Sequence, residues 1–207
     1  MSEHPLPPQH AQAVTGTQAT ATVPDRAPLG LFAIFGSTFF QLVGYFMLMP
    51  LLLLRMKGDG VSTALAGVFV ATGWLGVFAM TPFASAITQR LGRRPSLWLA
   101  AAVPVVAIAG FLFSDSLLLW FACILIEGMA AGLRWVLAEA VVAEFSPAHQ
   151  RGRMVGLFET MVGTTFVLGP VMLAWVGAQS DTALWLALGF TVLGLCWSLL
   201  IPRVPRA

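Results

Sequence analysis

Gln89-Arg90-Leu91-Gly92-Arg93-Arg94-Pro95 places three arginines within five residues, between two long apolar runs. Residues 60–89 hold no Lys, Arg, Asp or Glu, and neither do residues 95–114. A helix needs about 20 apolar residues to cross a hydrocarbon core of ~30 Å, and each run is long enough. The stretch therefore reads as a basic turn joining two membrane helices. Its arginines place it on the cytoplasmic side, where positive loops are retained.

Working outward, the whole chain has the composition of a membrane protein. It is 58% hydrophobic and 10% charged, with mean hydropathy +0.85, where a soluble domain carries roughly 25% charged residues. The net charge of +2 matters less than where the charges sit. Basic residues fall in short turns and no basic patch is interleaved with exposed aromatics, which argues against a nucleic-acid partner.

The pattern predicts six membrane helices, near Leu29–Leu54, Val61–Thr88, Ser96–Phe113, Leu117–Ala143, Met154–Val176 and Thr182–Ile201. Helices satisfy their own backbone polar groups in lipid. The alternating polarity of a membrane β-barrel is absent. Gly58-Asp59-Gly60, Ser114-Asp115-Ser116 and Gln179-Ser180-Asp181 supply the turns. Residues 1–27 are polar and rich in Pro, Ala, Thr and Gln, and read as a disordered cytoplasmic tail rather than a signal peptide. Residues 28–202 form the membrane domain, and 203–207 a cytoplasmic end.

Charge counting sets the orientation. With the N-terminus inside, inner segments hold Arg26, Arg90, Arg93, Arg94, Arg151, Arg153, Arg203 and Arg206, against Arg55 and Lys57 outside. Eight against two predicts that both termini are cytoplasmic, in an inner or plasma membrane. Cys123 and Cys196 read as buried small apolar residues. The histidines His4, His10 and His149 have no ligand spacing, so no metal site and no cofactor is expected. No nucleophile, histidine and base are arranged across the spans, so the chain does not read as an enzyme.

The turn resembles the loop signature of the major facilitator superfamily of transporters, roughly Gly-x-x-x-Asp-Arg/Lys-x-Gly-Arg-Arg/Lys. Arg90, Gly92, Arg93 and Arg94 match; Ser85 stands for the leading Gly and Gln89 for the Asp. Gln89 can hydrogen-bond but cannot anchor the ion pair that, in the family, helps latch the inner face. Pro147-Ala148-His149-Gln150-Arg151-Gly152 is close to the family's Pro-x-x-x-Arg-Gly, with Ser146 in place to cap the helix that follows. Gly163 and Gly169-Pro170 in the fifth helix partly resemble an element associated with exporters and antiporters; Thr165 and Leu173-Ala174 depart from it. Glu127-Gly128 in the fourth helix stands where the family often has Gln-Gly.

The resemblance implies an all-α membrane fold of six helices in two three-helix inverted repeats, equal to one half of such a transporter. It implies alternating access about a midplane site, with residues 89–95 as a cytoplasmic gating loop. A second six-helix half or a homodimer partner would then complete the cavity, with membrane lipids around it. A small solute and protons are the expected ligands, and efflux the expected direction. A six-helix assembly or structural protein without a transport cycle is the alternative.

Charges within spans are costly, about 2.5–3.5 kcal/mol near the centre, and normally face the protein interior or a wet cavity. The third and sixth spans carry none, the fourth carries Glu127, Arg134 and Glu139, and the fifth carries Glu159. This fits the plan that the resemblance implies, in which the third and sixth helices are outer supports while the first, second, fourth and fifth border the cavity. At about 1.5 Å rise per residue, Glu127 lies within ~5 Å of the midplane and Arg134 ~6 Å toward the cytoplasm. Glu159 falls at similar depth to Arg134, so a pair between them is expected. Glu127 is the candidate proton or cation site. Glu139 and Glu144 sit near the interface, where solvent or loop arginines can satisfy them. Ser37, Gln41 and Tyr45 recur every four residues as a polar stripe on the first helix, and Gln41 and Tyr45 join the expected pathway. Gly36, Gly44, Gly128 and Gly132 should allow close helix contacts. Pro104 and Gly169-Pro170 mark mid-span bends, and Trp98, Trp120, Trp175 and Trp185 read as interfacial anchors.

Overall fold

A computed structural model describes residues 27–179 and 181–202. The predicted tail and chain end lie outside these residues, apart from the tail's last residue, Ala27. The helices are α1 (Ala27–Gly58), α2 (Thr63–Met80), α3 (Ala84–Leu91), α4 (Arg93–Phe113), α5 (Leu117–Phe145), α6 (Arg151–Val176) and α7 (Thr182–Leu199). They make six apolar spans long enough to cross a membrane, with α2 and α3 sharing the second. Among the described residues there is no strand.

The second span is broken where the sequence reading had it continuous. Thr81-Pro82-Phe83 forms a 3-10 turn between α2 and α3, and Pro82 has no N–H to offer the helical ladder. Three starts and stops also move. α1 runs on to Gly58, α4 begins at Arg93, and a 3-10 turn at Ala148–Gln150 leads into α6 at Arg151. Ser146 does not cap that helix. Its hydroxyl donates back to the Val142 carbonyl and closes α5 instead (2.5 Å). The side-chain cap that does form is Ser62, which accepts from the Leu65 N–H at the start of α2.

The packing pattern shows the internal symmetry. α1 packs on α7 and α6; α5 packs on α4 and α2; α4 also packs on α7. Exchanging the first three spans for the last three maps α1–α7 onto α5–α4 and α1–α6 onto α5–α2, and returns α4–α7 to itself. Two three-helix repeats give that result.

Lipid supplies no hydrophobic drive between helices, so small residues and interhelical hydrogen bonds set the contacts. The expected glycines carry them. A side chain at Gly128 would run into the Gly73 backbone of α2, and one at Gly132 into Val77. Gly36 lies under the Trp197 ring, and Gly44 abuts Thr191 and the Ala187 carbonyl. Ser37 Oγ donates to the Gly194 carbonyl at 2.8 Å, so this member of the polar stripe ties α1 to α7 rather than facing a cavity. At the end away from the arginine turn, Arg55 pairs with Asp181 at 3.0 Å and links α1 to the start of α7.

Two expectations about outward residues change. Cys196 is exposed, and only Cys123 is buried. Trp120 is buried, its Nε1 donating to the Ser114 carbonyl at 2.7 Å, so it seals the α4–α5 turn. Trp175 and Trp185 remain exposed near the span ends.

Candidate functional site

The site grows from one buried amide. Gln41 on α1 donates through Nε2 to the Ala101 carbonyl of α4 at 3.1 Å. Its Oε1 accepts a hydrogen bond from Arg134 Nη1 of α5. One amide therefore fixes three helices and orients a buried guanidinium, using its donor and its acceptor together.

Glu127 lies two turns before Arg134 on α5 and is equally enclosed; the two side chains are 4% and 7% exposed. Glu127 Oε2 and Arg134 Nη2 are buried and have no hydrogen-bond partner among the described residues. Such orphaned groups are rare in folded proteins and costly to keep.

Both side chains line a cavity of about 380 Å³. Tyr45, Phe46, Trp74, Phe78, Trp135 and Phe166 form its aromatic wall, with Leu42, Leu48 and Ile108 filling in. The size lies within the usual range for ligand pockets, roughly 300–1,000 Å³. The wall comes from α1, α2, α5 and α6 as expected, but α4 also contributes through Ala100, Pro104 and Ile108, and α7 through Thr191. The third and sixth spans are thus more than outer supports: they close the back of the cavity.

Arg134 does not meet Glu159. The face of α6 that turns inward is Phe158, Val162, Thr165, Gly169 and Leu173, spaced three and four apart. Glu159 is one residue off that face, about 100° around the helix, and is exposed. Equal depth was not enough; helix rotation decides the partner, and Gln41 takes the guanidinium. α6 runs through Gly169-Pro170 as one unbroken helix. A side chain at Gly169 would meet the backbone of Phe46 and Met47 on α1, so this position is a close approach as well as a candidate bend.

The arginine turn is built around Gly92, whose φ of 89° favours glycine. Arg93 pairs with Glu144 at the end of α5. Arg94 donates to the Leu199 carbonyl at 3.1 Å and stacks over Trp98, 4.4 Å from the ring centroid. The Trp98 Nε1 donates to the Ser198 carbonyl at 3.0 Å. Gln89 and Arg90 are exposed. With no acid at position 89, the turn is fastened by Glu144 from below.

Six apolar spans with an internal repeat, lining an apolar cavity that holds a buried acid and a buried guanidinium, define a polytopic membrane protein of solute-transporter architecture. The model of the Major Facilitator Superfamily matches residues 34–207, and the chain belongs to that family. It is 25% identical over 130 residues to the uncharacterized MFS-type transporter YfkF of Bacillus subtilis, covering 63% of this chain and 33% of that protein. It is 23% identical over 142 residues to the quinolone resistance protein NorA of Staphylococcus aureus, covering 68% and 36%. The chain thus spans about a third of the length of these curated relatives. Among solved structures, the human organic anion transporter MFSD10 (TETRAN) superposes with TM-score 0.71 at 22% identity, covering 85% of this chain and 48% of that one. The proton:xylose symporter XylE superposes with TM-score 0.67 at 18% identity, covering 86% and 45%. At these identities the two structures share the fold alone.

Proposed function

We propose that the chain is one half of a transporter that moves a small solute by alternating access, driven by protons and working in the export direction. The carrying observation is Glu127: a buried carboxyl near the middle of its span, on the wall of the central cavity, with an unpartnered oxygen. A group so placed can take a proton or a cationic solute group, and each excludes the other. Gln41, Tyr45 and Arg134 complete the pathway around it. Glu159, on the exposed face of α6, belongs to the same pathway once a second half covers that face. Residues 89–95 act as the cytoplasmic gate and Gly169-Pro170 as a point of flexure. In this reading the arginine turn and both termini are cytoplasmic, in a plasma or inner membrane.

The uneven covering of the spans supports a missing partner. The apolar stretch is about half buried in α1 and in α5, 44% in α4 and 33% in α7, but only 28% in α6 and 17% in the span of α2 and α3. A second six-helix half, or a second copy, would lie against these spans and close the cavity, with lipid around the rest.

The test uses proteoliposomes loaded with a labelled solute library under an imposed pH gradient. Gradient-dependent solute movement that Glu127→Gln abolishes, while exchange at equal pH survives, supports the reading. Unchanged pH dependence in that variant would make Glu127 structural. The turn's lost acid and its Arg93–Glu144 fastening favour a second reading, a six-helix assembly protein with no cycle. That reading requires that no solute moves under any gradient.

A further inference from the structure

The unpartnered atoms of the cavity have opposite sign. Glu127 Oε2 is an acceptor without a donor, and Arg134 Nη2 a donor without an acceptor. Among the described residues no ion pair within 4.0 Å involves either side chain. Gln41 occupies only one nitrogen of the guanidinium. The rest of the wall offers aromatic and aliphatic surface. A cavity for a lipophilic cation would need the acid but not a free guanidinium. A cavity for an organic anion would need the reverse.

We infer that the cavity takes a zwitterionic amphiphile: a flat aromatic body carrying a cationic amine at one end and a carboxylate at the other. The inference rests on reading this cavity as the solute site of a transporter. The amine meets Glu127, and the carboxylate meets the free edge of Arg134 that Gln41 leaves open. A guanidinium presents its donors in a planar fork suited to a carboxylate. The two protein groups stand two turns apart on α5, about 10 Å along the helix axis. Side-chain reach shortens that span, so ligand charges separated by roughly 5–10 Å fit it. On the same cavity wall Phe46, Phe78, Trp135 and Phe166 supply ring surface for the body, and offset or edge contacts between rings are favourable. The ligand satisfies in one step two buried groups that the protein leaves open. A molecule with one charge satisfies one and leaves the other buried, which is the stronger source of discrimination.

The experiment measures binding to the full chain in lipid nanodiscs by equilibrium dialysis with three matched probes. These are 6-(aminomethyl)-2-naphthoic acid, its methyl ester, which keeps only the cation, and its N-acetyl derivative, which keeps only the anion. The zwitterion is expected to bind at least about tenfold tighter than either derivative, the factor that one charge-assisted hydrogen bond provides. Glu127→Gln should weaken the zwitterion about tenfold and leave the N-acetyl probe unchanged. Arg134→Gln should weaken the zwitterion while leaving the ester unchanged. Glu127→Asp, which keeps the charge, should retain the zwitterion preference, and unchanged N-acetyl binding by Glu127→Gln shows that its loss is not misfolding. An ester that binds as tightly as the zwitterion overturns the inference in favour of a cation site. An equally tight N-acetyl probe overturns it in favour of an anion site, and no saturable binding by any probe overturns it outright. Solute transport without zwitterion preference sinks the ligand class alone. Zwitterion-selective binding by a chain that moves no solute keeps the ligand class and sinks the transport reading.

Discussion

Replacing Gly128 by alanine tests the central contact of the bundle. An added Cβ there meets the carbonyl oxygen, carbon and Cα of Gly73. All three are backbone, so no side chain can rotate away, and α2 must move off α5. Overpacking of this kind costs about 1–3 kcal/mol. Alanine returns up to ~1 kcal/mol through its better helix propensity. The net loss is about 0–2 kcal/mol, or up to roughly 8 °C in unfolding midpoint at 2–4 °C per kcal/mol. Gly73 and Gly163 calibrate the scale. A Cβ at Gly73 meets the Ile124 and Met49 side chains at 3.3 and 3.4 Å, which can shift slightly. At Gly163 it meets nothing within 4 Å, so Gly163→Ala should be neutral or stabilising by up to ~1 kcal/mol. Midpoints in detergent should fall in the order Gly163→Ala, Gly73→Ala, Gly128→Ala. A Gly128→Ala protein as stable as Gly163→Ala would refute the close contact between α2 and α5.

Reporter fusions at 89–95 and 146–153 should read as cytoplasmic, and fusions at 58–60 and 177–181 as external; an external arginine turn overturns the orientation. Arg93→Ala and Glu144→Ala should each cost little stability, with a coupling of no more than about 1 kcal/mol in a double-mutant cycle, because the pair is about a third exposed; a much larger coupling would mean the turn is sealed from solvent. Gln41→Leu should destabilise the bundle by about 1–3 kcal/mol, since it strands the Arg134 guanidinium and the Ala101 carbonyl in the interior; an unchanged midpoint in thermal unfolding would show that water replaces the amide.

The sequence carried the spans and the glycine contacts because lipid enforces both directly. Twenty apolar residues must be helical, and a glycine such as Gly128 or Gly132 marks where another backbone comes near. It did not carry which side of a helix faces which neighbour. Glu159 matched Arg134 in depth, but the face of α6 led by Phe158 and Val162 turned it outward. Cys196 failed for the same reason, since α7 buries Ala187, Thr191 and Gly194 instead. The 3-10 turn at Thr81–Phe83 had a visible signal in Pro82, hidden by the even hydropathy around it. The aromatic wall was written in Trp74 and Phe78, four apart on α2, but an apolar pair at that spacing serves lipid or core equally well. Ser146 illustrates a different limit: a hydroxyl between two helices can close the first or open the second, and the local sequence fits both.

Gln41 ties the packing of the bundle and the proposed site to one residue. A buried arginine in the hydrocarbon zone needs a partner, and the cheapest would be Glu127 itself, which would neutralise both. The fold instead gives Arg134 a neutral amide that is held in turn by the Ala101 carbonyl. The guanidinium is then oriented without being discharged, and the carboxyl stays unpaired on the same cavity wall. Keeping both charges open costs stability that a direct ion pair would partly recover. A purely structural network has no reason to bear that cost. A site that must take up and release charged groups does, because a closed pair would have to be broken in every cycle. Gln41→Glu probes this distinction. It supplies Arg134 with a carboxylate partner but loses the donor to the Ala101 carbonyl and sets an oxygen against it, so the bundle should gain no stability, while solute binding should fall because the guanidinium is now discharged. If it leaves binding intact, the amide is there for packing, and the open charges have another explanation.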